Sequence, residues 1–221
     1  MAYLPKEERR KAIILATLEV VAEKGFAGIT TRVIATKLGA ATGILHHHFK
    51  SLIDLKCEAL RFLSRKNESN CIKMAQELTP TQTLLKLLSF NASAEERSEV
   101  SIWISAADEA TREPEFGQVY AEENNKHHQW LCNNLKEGAK AGEFTLSLPA
   151  ELAAWKLMAV AYNLYDISSL PHTNLSPEMA VEIIKQELIT TLGVKSKDLA
   201  SRLLPVNKEQ TTCISTAKSP A

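Results

Sequence analysis

Three short apolar patterns with helical spacing follow one another near the N-terminus, separated by glycines. In the first, over residues 13–21, apolar side chains recur at intervals of three and four residues. Gly25 ends this helix, because glycine readily adopts the left-handed conformation that closes one. Thr30 then caps a short helix that Gly39 breaks, and a third helix over residues 41–49 follows at once. Two short helices joined across a glycine turn, behind a longer one, are typical of a helix-turn-helix.

The rest of the chain predicts longer helices punctuated by prolines and a glycine. They are expected at about 52–78, 81–91, 95–112, 115–141, 149–169 and 176–193. No two segments alternate in the way that paired strands of a hairpin do. The predicted fold class is therefore all-α, with about nine helices.

Charge is unevenly divided along a chain whose formal net charge is zero. Residues 1–66 carry 12 basic and 6 acidic side chains, and the remainder carries 14 and 20. A basic first third favours contact with a polyanion, although chance partition of surface charge gives the same count.

The composition predicts a cytoplasmic location and no membrane partner. No signal peptide is evident, and the most apolar segment, 153–167, is too short to span a bilayer. Four cysteines lack the paired spacing of zinc sites and redox dithiols, so they are interpreted as free thiols: Cys57, Cys71, Cys132 and Cys213.

The last two helices predict self-association. Twelve of the fifteen residues in 153–167 are apolar, and the helix at 176–193 adds a further apolar surface. Two such helices carry more apolar area than one small domain readily buries, which favours a homodimer through a four-helix bundle. A monomeric helical core is the alternative. Residues 195–221, which are polar and without pattern from Asn207 onward, are expected to form a disordered tail.

The stretch ITTRVIATKLGAATGILHHHFKSLIDL, residues 29–55, is similar to the DNA-binding domain of the tetracycline-repressor (TetR) family of bacterial regulators. The motifs that carry this resemblance are EKGF at 23–26, Thr30 before Ile34-Ala35, Gly39 in the turn, and Leu45 and Phe49 in the third helix. The run Thr42-Gly43-Ile44 and the segment 103–114 resemble the choline-responsive repressors of that family.

The resemblance implies a division into a helix-turn-helix DNA-binding domain over 8–66 and a helical effector-binding and dimerisation domain over 67–194. It implies a ligand-responsive transcriptional regulator, acting as a repressor. Such a protein binds a near-palindromic operator in double-stranded DNA as a homodimer and is released by a small-molecule effector. The resemblance also implies a protein that is not an enzyme and needs no cofactor. A helix-turn-helix adaptor or nucleoid-organising protein without an effector is the alternative.

Nine residues are predicted to contact DNA. Small or polar side chains on the outer face of the third helix allow entry into the major groove, while Leu45 and Phe49 anchor the other face. The positive end of the second helix favours a phosphate, although Thr30 can also act as a simple cap. The predicted set is Thr30, Thr31, Arg32, Thr42, Gly43, His46, His47, Lys50 and Lys56.

The three consecutive histidines do not predict a metal site. Successive helical residues point about 100° apart, so His46, His47 and His48 do not converge on one ion. The resemblance implies that His46 and His47 stand where the family has tyrosines that reach phosphate oxygens. Leu52 replaces a lysine that usually opens the fourth helix.

The effector cavity of the family lies among the middle helices. The candidates for lining it are Phe62, Phe90, Trp103, Asp108, Trp130, Met158 and Tyr162, with ordinary core packing as the alternative for each aromatic residue. Ala106 and Ala107 follow Trp103 where choline-responsive relatives have further aromatic residues, so an aromatic cage for a quaternary amine is not predicted.

Overall fold

The structure is a computed structural model that describes residues 5–88 and 94–194, with backbone only for residues 94–98. Within these ranges the chain is all-helical, and its α-helices number nine. They are α1 (Lys6–Lys24), α2 (Thr31–Lys37), α3 (Gly43–His46), α4 (Leu52–Glu77), α5 (Pro80–Leu88), α6 (Ala94–Ala110), α7 (Pro114–Lys140), α8 (Ala150–Ser168) and α9 (Pro177–Leu192). The predicted tail, with Cys213, lies outside the described residues.

Local signals in the sequence explain most helix ends. Gly25 follows α1 with a φ of 70°, a region that glycine enters at little cost. Thr30 caps α2 by accepting a hydrogen bond from the Val33 N–H at 3.2 Å. Prolines stand at the first position of α7 and α9, where the missing N–H costs no helical hydrogen bond.

The third helix is shorter than predicted. It spans Gly43–His46 instead of 41–49, with Thr42 and residues 47–48 in turns. Ser51 has an extended backbone because it caps α4, where its Oγ accepts from the Asp54 N–H at 3.0 Å. The chain must therefore leave the α3 helix within a few residues.

Two apolar cores hold the helices together. The front core joins α1–α4 to α6 and the start of α7, and includes Ile13, Phe26, Ile34, Leu45, Leu60, Ile102 and Phe116. The rear core joins α5, the second half of α7, α8 and α9, and includes Leu84, Leu131, Leu135, Leu157, Ile184 and Leu188. Burial of this much aliphatic and aromatic area is the main source of stability.

Helix α6 is attached to the end of α1 by two serine hydrogen bonds. The Ser105 Oγ accepts from the Phe26 N–H at 2.6 Å, and the Ser101 Oγ donates to the Ala22 carbonyl at 3.1 Å. A β-carbon at Gly25 would lie 2.8 Å from the Ser105 Oγ, so this close approach requires the glycine.

No helix within residues 5–88 and 94–194 combines the length and the hydrophobicity of a membrane span. Cys57, Cys71 and Cys132 are buried free thiols. Burial raises the pKa of both Cys57 and Cys71 to about 11, which keeps these thiols protonated at neutral pH.

Candidate DNA-binding and effector sites

Helix α3 exposes small and polar residues on one face and buries apolar residues on the other. Thr42, Gly43, His46 and His47 are exposed, and together they form what we call the α3 surface. Leu45 and Phe49 behind it are 3% and 4% exposed and belong to the front core. No β-carbon contact within 4 Å would arise at Gly43, so the backbone there is open to an approaching partner.

The predicted phosphate contacts beside α3 differ in exposure and in the hydrogen bonds that they already make. Arg32 and Lys50 are exposed, and Thr31 is half-buried. The hydroxyl of the exposed Thr30 is already the cap acceptor of α2. The hydrogen bond from Lys50 to the Asp54 carboxylate, at 2.9 Å, is made by the Lys50 backbone N–H.

Lys56 is placed differently from the prediction. Its side chain is 12% exposed and its ammonium forms an ion pair with Glu109 of α6, which is 4% exposed. Lys56 lies three, four and seven residues before the buried Ala59, Leu60 and Leu63, on the inner face of α4. The ammonium therefore joins α4 to α6.

Arg10 of α1 makes a contact to α3 that the sequence analysis missed. It donates to the carbonyl of His48 at 2.6 Å and to Glu58 of α4 at 2.9 Å. Burial, and then the charges of Lys6 and Arg10, lower the pKa of the half-buried His48, so its ring is neutral at physiological pH. The N-terminal turns of α1 thus lie beside the end of α3.

A set of aromatic and polar side chains packs against the two cores, with Trp103 and Tyr120 on the front core and Trp130 and Tyr162 on the rear core. His127 of α7 is hydrogen-bonded through its Nε2 to the Tyr162 hydroxyl of α8 at 2.5 Å. Its ring centroid lies 6.2 Å from that of Trp130, and the Trp103 and Tyr120 centroids are also 6.2 Å apart. We call this the central layer.

Burial dominates the electrostatics of the central layer. It lowers the pKa of His127 to about 4 and raises the pKa of the Tyr162 phenol, so both groups are neutral at physiological pH. Burial also raises the pKa of Asp166 to about 6 and, together with the nearby Asp166 charge, the pKa of Tyr120. Glu123, 3% exposed, accepts from the Ser64 hydroxyl at 2.7 Å.

The structure brings some of the predicted effector residues together and separates others. Trp130 and Tyr162 meet around His127, while Phe62 and Trp103 pack on the front core and Met158 is buried in the rear core. Asp108 departs from the prediction, because it is exposed and forms a bidentate ion pair with Arg112 at 2.5–2.6 Å. Phe90 lies outside the described residues.

Helices α8 and α9 expose large apolar side chains. These are Leu152, Trp155, Met179 and Ile183, between 44% and 57% exposed, and we call them the α8–α9 surface. The Trp155 ring stacks on that of His128, with centroids 4.2 Å apart. Within the described part of the chain, no three His, Cys, Asp or Glu side chains are grouped as metal ligands.

Two family models match this chain. Residues 13–52 match the model of bacterial regulatory proteins of the tetR family, and residues 80–193 match that of the BetI-type transcriptional repressor C-terminal domain. The chain belongs to the TetR family. It combines the TetR helix-turn-helix with a BetI-type C-terminal helical domain.

Similar proteins agree with this assignment. The HTH-type transcriptional regulator BetI of Rhizobium meliloti is 28% identical over 181 residues, which cover 79% of this chain and 85% of BetI. A TetR transcription regulator from Haloarcula marismortui has a similar fold, with a TM-score of 0.73 at 19% identity over 84% of this chain and 99% of that one. A protein from Saccharomonospora viridis in complex with choline gives 0.71 at 21% identity, over 83% and 96%.

Membership of the TetR family fixes the class of activity. The family consists of DNA-binding transcription regulators, and the BetI-type C-terminal domain is that of repressors. It is not a family of enzymes.

Proposed function

We propose that this TetR-family protein is a ligand-responsive repressor that binds a near-palindromic operator as a homodimer and leaves it when a small molecule binds. The observation that carries the proposal is the α3 surface, whose small and polar residues stand on a buried anchor of Leu45 and Phe49. Because its partner is chromosomal DNA, we place the protein in the cytoplasm.

The proposed DNA-binding domain comprises residues 8–66. Thr42, Gly43, His46 and His47 enter the major groove, where small side chains allow close approach and imidazole N–H groups donate hydrogen bonds. Thr30, Thr31, Arg32 and Lys50 contact the phosphates on either side. Lys56 is left out of this set, because its ammonium is buried against Glu109.

The proposed second domain, residues 67–194, supplies the homodimer interface through α8 and α9. The α8–α9 surface exposes four large apolar side chains that a second copy would cover in a four-helix bundle. A two-fold axis there would present two α3 helices, which a palindromic site requires roughly 34–36 Å apart.

The proposed effector site is the central layer. Phe62 and Trp103 offer aromatic faces on the side of the front core, and Trp130 and Tyr162 on the side of the rear core, which also holds Met158. Asp166 is an acidic group near Tyr120 whose charge a cation would stabilise. Choline is the first ligand to test, because the S. viridis protein holds it. Ala106 and Ala107 stand where a full aromatic cage for a quaternary amine would need further aromatic residues, so the test decides between choline and another effector.

The proposed mechanism is a shift between two conformations. An effector that binds better to a form with altered α3 spacing lowers the population able to hold the operator, and only its differential affinity counts.

The recognition surface is tested with an operator selected by the wild-type chain from random duplexes. Thr42→Arg places a bulky side chain at the groove, and His46→Ala removes a donor, so both should weaken specific binding by about tenfold while the dimer persists. Gel shift and size-exclusion chromatography measure the two properties. His172→Ala, which removes an exposed imidazole distant in sequence from the DNA-binding domain, should bind normally. Unchanged operator affinity in Thr42→Arg and His46→Ala would refute the assignment of α3.

The effector is tested separately by thermal shift against choline and a panel of metabolites. A ligand that stabilises the free protein and reduces operator binding supports release by a small molecule. Sequence-specific binding without stabilisation by any compound would favour the adaptor or nucleoid-organising alternative.

A further inference from the structure

Arg10 contacts three parts of the DNA-binding domain at once. Its Nη1 donates to the His48 carbonyl at 2.6 Å, just after α3, and its Nη2 donates to the Glu58 carboxylate of α4 at 2.9 Å. Its guanidinium carbon lies 4.3 Å from the centroid of the Phe49 ring. One side chain of α1 thus links the end of the recognition helix to α4.

This link is made just beyond the C-terminal end of the recognition helix. Helix α3 has only four residues, and the last carbonyls of any helix have no partner within it. The His48 carbonyl lies in the turn that follows α3, and the charged guanidinium satisfies it with a stronger bond than a neutral donor provides. The planar guanidinium also stacks on Phe49, which anchors α3 in the front core.

The Arg10 side chain is committed to the protein. It lies three and four residues before the buried Ile13 and Ile14, on the inner face of α1, and is 28% exposed. Glu58, 22% exposed, neutralises its charge. The neighbouring Lys6 and Lys11 are exposed and remain able to meet phosphates.

We infer that Arg10 is a positioning residue, which fixes the angle of α3 against α1 and α4 so that the operator can be read without Arg10 touching DNA. The inference rests on the proposed operator binding. A direct phosphate contact by Arg10 is the alternative, and salt dependence separates the two. Removing one phosphate contact lowers the slope of log affinity against log salt by about 0.9, whereas a misplaced helix lowers specific affinity at constant slope.

The main test is Arg10→Met, which keeps much of the apolar stem and removes every donor. We expect specific affinity for the selected operator to fall by about tenfold, with non-specific affinity changed less than about twofold and the salt slope unchanged. Stoichiometric titration fixes the active fraction, so misfolded protein does not enter the ratio. A loss confined to thermal stability, with the ratio of specific to non-specific affinity unchanged, would overturn the inference.

Glu58→Gln is the second variant and keeps the shape of the carboxylate. If Arg10 positions α3, releasing it from Glu58 weakens specific binding by about threefold at constant slope. If Arg10 contacts phosphate, the freed charge strengthens binding and steepens the slope, which would overturn the inference.

Arg61→Met is the matched control. Arg61 bonds the same Glu58 carboxylate at 3.2 Å from three residues along α4, so the variant removes an equal charge from the same cluster. We expect its ratio of specific to non-specific affinity to remain at the wild-type value, and a loss equal to that of Arg10→Met would overturn the inference. If the wild-type chain selects no duplex, the proposed function itself fails. If it selects one that Arg10→Met reads equally well, only the present inference fails.

Discussion

The α3 surface and the α8–α9 surface differ in the residues they expose and in the interactions that hold them. The α3 surface is small and polar, and the ion pair Arg10–Glu58 lies behind it, while the ion pair Lys56–Glu109 joins α4 to α6. The α8–α9 surface is large and apolar, and behind it lie the rear core and the neutral pair of His127 and Tyr162.

This difference follows from the partners that we propose for the two surfaces. The major groove of DNA has room for a single helix. A four-residue helix buries too little area to be held by packing alone, so a charged side chain behind it adds to its support. A second copy of the chain instead offers apolar area, and long helices on an apolar core present such area without ionic support.

The largest expected effect comes from a charge in the α8–α9 surface. Trp155→Glu should convert the dimer to a monomer, because each interface would bury two unpaired carboxylates. Operator affinity should then fall by about a hundredfold or more, since two α3 helices no longer bind together. Size-exclusion chromatography with light scattering measures the mass.

Ile72→Glu is the matched control for that experiment. Ile72 lies on α4 and is 46% exposed, against 45% for Trp155. The Ile72 variant should remain dimeric. If the Trp155→Glu protein remains dimeric, the α8–α9 surface is not the homodimer interface.

A smaller effect is expected at the ion pair that joins α4 to α6. Lys56→Met leaves the carboxylate of Glu109 buried with only Arg112, 3.6 Å away, so the free energy of unfolding should fall by about 3 kcal/mol. Denaturant unfolding measures the loss, and Glu109→Gln in the same chain should restore most of it.

The salt dependence of operator binding sharpens this prediction. Lys56→Met should leave the salt slope unchanged, whereas Lys50→Met, at an exposed lysine, should lower it by about 0.9 per subunit. A salt slope lowered by Lys56→Met would show that Lys56 contacts a DNA phosphate, as the sequence had predicted.

The smallest effect concerns the neutral pair in the central layer. Because the pKa of His127 is lowered to about 4, the unfolded chain binds a proton near pH 6.5 while the folded chain does not. The contribution of His127 to the free energy of unfolding should therefore fall by about 2 kcal/mol as the pH is lowered from 7 to 5, and His127→Gln should lack this contribution.

Chemical unfolding of both proteins at several pH values measures the difference. The raised pKa of Asp166 acts in the opposite sense, with stability gained as the pH falls below about 6, but it does so in both proteins and cancels between them. If the free energy of unfolding depends on pH in the same way for the wild-type and the His127→Gln chains, then His127 is protonated in the folded chain, contrary to our prediction.

The fold was largely predictable from the sequence, because its signals are local. Gly25, Thr30 and Pro114 mark helix ends through backbone conformations that neighbouring residues do not alter, and the resemblance to the TetR family is confirmed by both family models. The predicted length of α3 was wrong, since the extended backbone of Ser51 ends that segment sooner than side-chain spacing indicates.

Partners distant in sequence account for what was missed. Lys56 and Glu109 are 53 residues apart, and Arg10 and His48 are 38 apart, so no local pattern joins them. Lys56 was therefore assigned to DNA, and the contact of Arg10 was not predicted. The spacing did hold a signal. Arg10 and Lys56 both occur at helical intervals from buried residues, and a charge on an inner face predicts a buried partner.

Helix α6 meets the front of the molecule through Ser101, Ser105 and Glu109, one residue every four positions. Bonds repeated at that interval form a single row along the helix, so sliding α6 by a fraction of a turn would break all three together. The free-energy cost of a small displacement of α6 is therefore similar to that of separating α6 from these partners altogether. Helix α6 and the end of α1 should accordingly move together as one rigid unit. Any bending of the molecule should then occur in segments that do not take part in these three contacts.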